Sequence, residues 1–533
     1  MAAARASTAP RFSDRCRARF LRLLAGPMSI AGIVACGHGT SGPPSPPAQI
    51  ATPAPGVSGP AWESFARDPQ HTAVSAIATQ DLNRIAWSSP LDLAPQQTDG
   101  ELLVHYGSPV ITSFNTVVMP VKTGPAAGFR LEARSGVNGG LIWSADSDYV
   151  PPPHDWLPSY NLALTSSNHL YAPGSGGKLL VRDDADSATG AVTSLVFYGA
   201  ASYSASSAAY DGTVFINTPI TVDPAGDAFF GFMVTGANPS GLVSGIARVS
   251  ASGEGRFIAA TDAAGDAAIT KVAMNSAPAL SNDLGTLYVA VDSDTAENGY
   301  LVALDSTTLA VKSRVLLVDP QTGANAVVDD NSTASPTVGP DGDVFYGVLE
   351  SAVGKHNGRG WLLHFDAGLN TSLVPGGFGW DDTASIVPAS LVASYTGGSS
   401  YLLMTKYNNY VDAGTGNGQN RVAVLDPKVS QLDSISGKPI MLEVLTILGP
   451  TSEGSAGAVK EWCINTAAVD LLTKSVLVNS EDGFLYRWDL GNNTFSQRIH
   501  LTSGIDEAYT PTAIGADGAV YAVSSSVLFS IAK

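Results

Sequence analysis

Acidic and aromatic residues recur in the segments that lead into the apolar strands of this chain. Carboxylates attract cations, and the faces of Trp and Tyr rings add cation–π attraction, so such residues could bind a cation, a cationic ligand or a basic peptide. Carboxylates from separate loops could also share Ca²⁺, which takes six or more oxygen ligands. The candidate binding residues are His105, Tyr106, Asp155, Trp156, Asp329, Asp330, Trp380, Asp381, Asp382, Glu461, Trp462, Asp506, Glu507 and Tyr509.

The same residues have a second interpretation, in which they bind nothing. Asp and Asn are common turn residues, and Trp side chains often pack between structural units. Two further acidic runs, Asp183–Gly190 and Asp292–Gly299, have the composition of calcium loops but lack the closing Glu, so we interpret them as solvated turns. The sequence contains no Gly-x-Ser-x-Gly elbow, phosphate-binding Gly-Lys-Ser loop or H-x-x-x-H zinc spacing, and no catalytic residue is predicted.

These segments alternate with a motif that occurs eight times, a short apolar strand that ends near an acidic or polar residue. Repetition at intervals of roughly 45–65 residues indicates stacked supersecondary units. The eight copies are Phe129–Arg134, Leu179–Asp183, Ile246–Ser250, Leu301–Asp305, Leu362–Asp366, Val422–Asp426, Leu485–Asp489 and Val527–Ser530.

Each copy belongs to a longer pattern of strands joined by tight turns. A strand that often opens with a small residue and Pro comes first, and an aromatic, β-branched strand follows it. The turn between them is commonly Asp-Gly, at Asp211-Gly212, Asp341-Gly342 and Asp517-Gly518, which is the strongest short hairpin signal. Four antiparallel strands per unit, repeated radially, predict an all-β fold, a β-propeller of four-stranded blades.

The two ends of the repeat region carry complementary parts of one blade. The last unit, from Tyr509 to Lys533, supplies three strands, and Arg84–Ser88 has the pattern of a fourth strand without its first three. A propeller closes its ring in this way, and closure removes exposed strand edges that favour aggregation. We therefore predict eight blades, or seven if one unit is fused or missed, with the candidate binding residues around one mouth of the central channel.

The chain is acidic, with 29 Lys and Arg against 47 Asp and Glu and a formal net charge of −18. Nucleic acids and anionic lipid headgroups are bound mainly through Lys and Arg, which replace counterions. This balance of charges argues against a nucleic-acid partner.

The first 60 residues are typical of an export and anchoring region. Residues 1–35 have a basic start, a short apolar run and a small residue before the cleavage point, as in a secretory signal peptide. The ending Ile33-Val-Ala-Cys36 resembles a bacterial lipobox, in which Cys36 becomes the lipid-modified first residue. Residues 36–60 form a Pro-, Ser- and Gly-rich tether, and residues 61–533 form the propeller. The alternative is an ordinary signal peptide, which would leave a periplasmic or extracellular protein.

A tryptophan-led segment, Trp62-Glu-Ser-Phe-Ala-Arg-Asp-Pro-Gln-His-Thr-Ala73, precedes Trp87 and the repeats of Ser-Pro-x-Val, Asp-Gly-x-Val-Tyr and Leu-x-Ala-Leu-Asp. Together these elements resemble the quinoprotein-type, or PQQ-like, β-propeller superfamily over residues 61–533. That superfamily includes quinoprotein dehydrogenases and non-enzymatic envelope lipoproteins of the BamB type. The dehydrogenases typically carry a disulfide between adjacent cysteines, and this chain has no Cys-Cys pair. The resemblance therefore implies the non-enzymatic branch, without PQQ.

We accordingly expect an exported, lipid-anchored propeller that acts as a binding or scaffold protein for a protein partner in the bacterial envelope, attached to the outer membrane. No cofactor is expected, and only Ca²⁺ is left open. The alternative is an enzyme or a small-ligand binder, quinoprotein-like or Ca²⁺-dependent, that uses the acidic and aromatic mouth. The sequence does not identify the ligand.

Overall fold

A computed structural model shows an eight-bladed β-propeller built from small antiparallel sheets. The structure describes residues 57–98, 101–102, 106–125, 128–154, 160–293, 298–329, 334–352, 354–411, 413–454, 456–503 and 510–533. The leader, Cys36 and most of the tether lie outside these ranges. So do seven of the candidate binding residues, which are His105, Asp155, Trp156, Asp330, Asp506, Glu507 and Tyr509.

The two inner strands of each blade line the central channel and the layer around it. In order of blades 1 to 8, the first strands are Val110–Ile111, Ala163–Leu164, Thr221–Val222, Ala279–Leu280, Thr337–Val338, Ser385–Pro388, Ala468–Asp470 and Ala513–Ile514. The second strands are Thr116–Lys122, Leu170–Pro173, Ala228–Val234, Thr286–Asp292, Val344–Val348, Tyr401–Tyr407, Ser475–Asn479 and Val520–Ser524.

The third strands coincide with the eight copies of the repeated motif, except that Asp183, Ser250 and Asp366 lie one residue past the strand end. The fourth strands form the outer edge of the ring. The third strands are Phe129–Ser135, Lys178–Arg182, Gly245–Val249, Gly299–Asp305, Trp361–Phe365, Arg421–Leu432, Phe484–Asp489 and Val527–Ala532. The fourth strands are Leu141–Ser147, Val192–Val196, Gly255–Ala259, Val311–Leu316, Pro439–Leu448, Thr494–His500 and Arg84–Pro90, which belong to blades 1–4 and 6–8. In blade 5 the outer position is held by two isolated bridges, Leu362–Gly376 and Phe365–Ser372.

Blade 3 departs from the predicted pattern at Asp211-Gly212. The predicted hairpin turn is instead the end of a short helix, Ser207–Asp211, and Gly212 has right-handed helical backbone angles. The following strand, Val214–Ile216, pairs with Ala228–Val234 as an additional inner strand. The turn prediction was wrong here because a helix C-terminus and a hairpin share the preference for Gly. At Asp341-Gly342 and Asp517-Gly518 the hairpins form as predicted, with φ of +90° and +82° at the glycines.

A few short elements lie outside the regular blade pattern. The additional strands are Val74–Ser75, Gln97–Thr98, Glu101–Leu102, Val214–Ile216 and Lys271–Val272. The α-helices are Ala200–Ala205, Ser207–Asp211 and Ala260–Ala264, and the 3₁₀ turns are Ser175–Gly177 and Ala389–Leu391. No helix among the described residues is long and apolar enough to cross a bilayer.

The ring closes through the strand that the sequence predicted. Arg84–Pro90 pairs antiparallel with Val527–Ala532, from Arg84 opposite Ala532 to Pro90 opposite Val527. Trp87 on this strand is buried, packs against Tyr521 and donates its indole N–H to Gly136 O over 2.8 Å. Blade 8 is therefore completed from both ends of the propeller region, and the count of eight blades is confirmed.

The segment Gly59–Ser75, which we call the inner segment, lines the channel at the ends of the first strands. Its carbonyl groups accept backbone hydrogen bonds from Ile111, Leu164, Leu280, Val338, Ile386 and Val469, one residue in each of six blades. Val74–Ser75 continues as a strand that pairs parallel with blade 7. Because backbone N–H groups inside a protein need acceptors, the inner segment satisfies donors that face the channel.

Candidate binding site

The segment before each first strand, here called the lead-in loop, lies at one end of the channel. Successive strands in a blade are antiparallel, so all eight lead-in loops surround this one end, the mouth. The turns between first and second strands surround the opposite end. Of the predicted binding residues, the structure describes Tyr106, Asp329, Trp380, Asp381, Asp382, Glu461 and Trp462, all in lead-in loops.

Hydrogen bonds join the described parts of neighbouring lead-in loops. Thr383 of blade 6 accepts from Ser335 N through its hydroxyl and donates its own N–H to Asn465 O of blade 7, over 2.9 and 2.8 Å. Most of these bonds use backbone groups or short Ser, Thr and Asn side chains, which hold a loop at low conformational cost. The bonds between blades are Ser108–Asn161, Asn275–Asn217, Ala277–Ser335, Ser335–Thr383, Thr383–Asn465 and Thr512–Thr466, which we call the mouth belt.

Tyr106 lies in a buried polar cluster beneath the mouth. Its hydroxyl donates to Asp92 Oδ2 over 3.2 Å, and Asp92 pairs with Lys122 at 2.9 Å. Lys122 Nζ also donates to the carbonyl groups of Ala94 and Gly124, both at 2.8 Å. All three N–H donors of the Lys122 ammonium are thus used. A buried charge is tolerated when it is paired and fully hydrogen-bonded, and the Lys122–Asp92 pair meets this condition.

Asp381 and Asp382 are buried in the lead-in loop of blade 6. Asp382 accepts a short hydrogen bond from the Thr405 hydroxyl, and its burial raises the pKa of this carboxyl to about 7, against the opposing attraction of Lys406. Asp381 has a positive φ of 54°. The loop approaches blade 5 closely, because a Cβ at Gly379 would lie 2.0 Å from Trp361 O. These carboxylates belong to the interior of the loop and face the adjacent strand of their own blade.

Lys406 is the residue at this position that the sequence analysis missed. Its Nζ is fully buried, lies 3.9 Å from Asp381 Oδ2 and has no hydrogen-bond partner. The ammonium also lies 5.9 Å from the centre of the Phe378 ring. A lysine within an apolar strand pattern gives no sign of burial, so sequence alone could not identify it. The structure thus places a buried cation with unused donors beside Asp381.

Trp462 packs between blades 6 and 7. Its ring lies 5.7 Å from Tyr486 and 5.6 Å from Phe495, and the Asn408 side chain bonds both its backbone N–H and its carbonyl. Trp462 is fully buried, and Glu461 and Trp380 are also buried, whereas Asp329 is half-buried. The structure brings Trp380, Asp381 and Asp382 together in one loop, with Trp462 in the next blade.

Two runs of the chain have calcium-loop composition. In Asp183–Gly190, Asp184 and Asp186 both accept from the Asn168 amide, at 3.0 and 2.8 Å. Asp292–Gly299 is described only in part. Among the described residues, no three His, Cys, Asp or Glu side chains are grouped as a metal site would require.

No family model matches this chain, and no curated protein is similar to it. Solved structures do match it. The europium-containing methanol dehydrogenase is similar over 86% of this chain and 88% of its own, with a TM-score of 0.53 and 10% identity. A quinohemoprotein alcohol dehydrogenase from Comamonas testosteroni aligns over 88% and 80%, with a TM-score of 0.49 and 12% identity. BamB from Moraxella catarrhalis aligns over 84% and 98%, with a TM-score of 0.43 and 11% identity.

At 10% identity, the likeness to the europium-containing methanol dehydrogenase concerns the fold alone. It confirms the β-propeller fold that the repeats predicted. It says nothing of activity, because unrelated functions share propeller scaffolds.

Proposed function

We propose that this chain is an exported, lipid-anchored propeller that binds a protein partner in the bacterial envelope through its mouth. The observation that carries the proposal is the mouth belt, which holds neighbouring lead-in loops in a fixed arrangement. A surface that is ordered before binding loses little entropy when a partner docks, so more of the contact energy appears as affinity. The leader, Cys36 and the tether support the proposed location.

The partner is expected to be a protein rather than a nucleic acid. The net charge of −18 disfavours polyanions, and a large acidic surface attracts basic segments. Loops on a rigid scaffold are the usual place for such recognition. The tether would leave the propeller free to meet a partner near the membrane surface.

Co-purification from the native host tests this proposal. The tagged full-length chain is recovered from membranes after mild cross-linking, and a Cys36→Ser chain serves as the matched control for anchoring. We expect the unmodified chain in the membrane fraction with one envelope protein attached, and the variant in the soluble fraction. Recovery of both forms in the soluble fraction, or of no partner with either, would contradict the proposal.

A second candidate function is favoured by Lys406. A buried ammonium with unused donors is costly, and a small anionic ligand reaching it from the mouth would supply the missing acceptor. In a quinoprotein-like binder, Lys406 would donate to an anionic oxygen of the quinone. A quinone of this kind is accompanied by a divalent cation. Among the described residues, no three His, Cys, Asp or Glu side chains lie together as a site for that cation would require. Ca²⁺ binding therefore stays a prediction.

Native mass spectrometry of protein purified from its host tests the second candidate. We expect a small noncovalent ligand on the unmodified chain that is absent from a Lys406→Met chain. Lys428→Met is the matched control, because Lys428 is a partly exposed lysine paired with Asp341 and Asp343 on another surface. If the unmodified chain carries no ligand, or Lys406→Met carries the same one, this candidate is rejected.

A further inference from the structure

Arg359 lies in a seam between blades 5 and 6, next to the lead-in loop of blade 6. Its side chain is stacked on Tyr407, with the guanidinium carbon 4.0 Å from the ring centre, and the residue is 5% exposed. Tyr407 donates its hydroxyl to Glu443 over 2.8 Å. Burial raises the pKa of Tyr407, and the guanidinium opposes this rise. Glu443 is thus engaged by Tyr407 and forms no ion pair with Arg359.

Two donors of Arg359, Nε and Nη2, have no hydrogen-bond partner. These nitrogens share one edge of the guanidinium, and their N–H bonds are parallel. This edge is the one that binds both oxygens of a carboxylate in a bidentate pair. Other buried arginines among the described residues use this edge at least in part. Arg182, for example, stacks on Trp143 but donates to the carbonyl groups of Ser187 and Gly190.

The loop that carries Arg359 is fixed independently of its side chain. Glu350 accepts four backbone N–H groups, from Gly354, His356, Gly358 and Gly360, at 2.7–3.3 Å. These four backbone N–H groups form a nest around the Glu350 carboxylate, and the carboxylate in turn fixes the shape of the loop.

The long insert after Tyr407 packs on the same loop. Asn357 donates to Asn409 over 2.8 Å and accepts from the backbone N–H of Thr415 over 2.8 Å. Arg359 O in turn accepts the N–H groups of Gly379 and Trp380, both at 3.0 Å. The loop around Arg359 is therefore held by the insert, and the backbone carbonyl of Arg359 bonds directly to the lead-in loop of blade 6.

We infer that Arg359 is a carboxylate-binding residue, and that the seam between blades 5 and 6 takes the carboxylate of a small organic acid or of a peptide chain end. A planar carboxylate matches one guanidinium edge, whereas a phosphate presents more oxygens than this edge can satisfy. The Tyr407 ring beneath the guanidinium keeps the fork in place for the ligand. This site adjoins the lead-in loop of blade 6, but as a site for a small carboxylate it does not depend on the proposed protein partner.

Thermal unfolding of the full-length chain in detergent tests the inference. Sodium acetate is compared with sodium chloride and sodium phosphate at equal ionic strength. We expect acetate alone to raise Tm by about 1–2 °C near saturation. Arg359→Lys keeps the charge but lacks the fork, so its Tm should not respond to acetate. Arg182→Lys is the matched control, because Arg182 already donates through Nη2 to Ser187 O, and it should respond as the unmodified chain does.

A second experiment, with short peptides, distinguishes the two sources of the carboxylate. Triglycine with a free carboxyl end is compared with triglycine amide, and calorimetric titration of the unmodified chain gives a readout that needs no variant. Tighter binding of the free peptide than of acetate assigns the site to a chain end, and the reverse order assigns it to a small acid. If neither ligand binds, or if Arg359→Lys responds like the unmodified chain, the inference is overturned.

Discussion

At the scale of single residues, His71 of the inner segment links stability to pH. His71 is fully buried and donates through Nδ1 to Pro336 O over 2.6 Å, while Nε2 has no partner. Burial lowers the pKa of this imidazole to about 4. The folded chain therefore disfavours the proton that the unfolded chain takes up below pH 6.5. The stabilisation is complete above that value and is lost as the pH falls toward 4.

The predicted size of this effect is about 3 kcal/mol between pH 7 and pH 4. His71→Asn keeps a donor for Pro336 and suits the positive φ of 61° at this position, but it does not titrate. Urea unfolding at several pH values should show a flatter pH dependence for His71→Asn than for the unmodified chain over that range. Parallel curves would show that His71 does not carry the effect.

Asp382 gives folding stability the opposite dependence on pH. Burial raises its pKa to about 7, above the value of the unfolded chain, so ionisation of the unfolded state penalises folding as the pH rises from about 4 to 7. Asp382→Asn removes the charge and should stabilise the fold at pH 8 by roughly 2–4 kcal/mol, with no gain at pH 4. Denaturant midpoints at the two pH values measure this. An Asn variant that is less stable at pH 8 would show that the ionised carboxylate is favoured inside the loop.

The sequence predicted the two Asp residues of this loop but not the two cations near it. Asp381 and Asp382 stand out because they form an acidic pair directly after Trp380 in a loop. Lys406 is a single basic residue within a strand, and Arg359 is a single basic residue within a loop. Their burial depends on contacts with neighbouring elements, which no local pattern records.

At the scale of elements, the strand that closes the ring should carry a large share of the stability. Trp87→Ala removes the contact with Tyr521 and the bond to Gly136 O, and we expect a loss of about 3–5 kcal/mol. Ile85→Ala is the matched control on the same strand, because Ile85 is 37% exposed. Its effect should stay below about 1 kcal/mol. Equal losses in denaturant unfolding would argue against a closing role for Trp87.

The inner segment gives a second prediction at this scale. Trp62 is fully buried and exchanges two backbone hydrogen bonds with Ile111, both 2.9 Å. Trp62→Ala should loosen this end of the segment and speed amide exchange at Ile111 and Leu164 more than at Val469. Phe114→Ala, at a 54% exposed position of blade 1, is the control and should leave all three rates unchanged. Uniform acceleration would indicate global rather than local opening.

Strands and hairpins were predictable from the sequence where the signal is local. The Asp-Gly turns at residues 341 and 517 and the eight third strands follow from side-chain alternation and turn chemistry. The hairpin turn predicted at residue 211 does not form, because Gly212 there ends a short helix instead. The path of Trp62–Ser75 through the channel was also not predictable, since its partners lie in six different blades and its own residues show no period.

At the scale of the whole molecule, ring closure makes the mouth the distinctive surface of this protein. Eight lead-in loops meet there. The mouth belt joins the loop of blade 1 to that of blade 2, and joins the loops of blades 3 to 8 in sequence. The opposite end of the channel is lined by the inner segment.

Two substitutions at opposite ends of the ring test whether the partner binds at the mouth. Val150, in the lead-in loop of blade 2, is 43% exposed, and Leu472, in the turn after the first strand of blade 7, is 62% exposed. Each is changed to Glu in the tagged, membrane-attached chain, and the partner recovered from the envelope is quantified. We predict loss of the partner with Val150→Glu and full recovery with Leu472→Glu. Equal recovery of the partner with both variants, or its loss with Leu472→Glu alone, would show that the partner does not bind at the mouth.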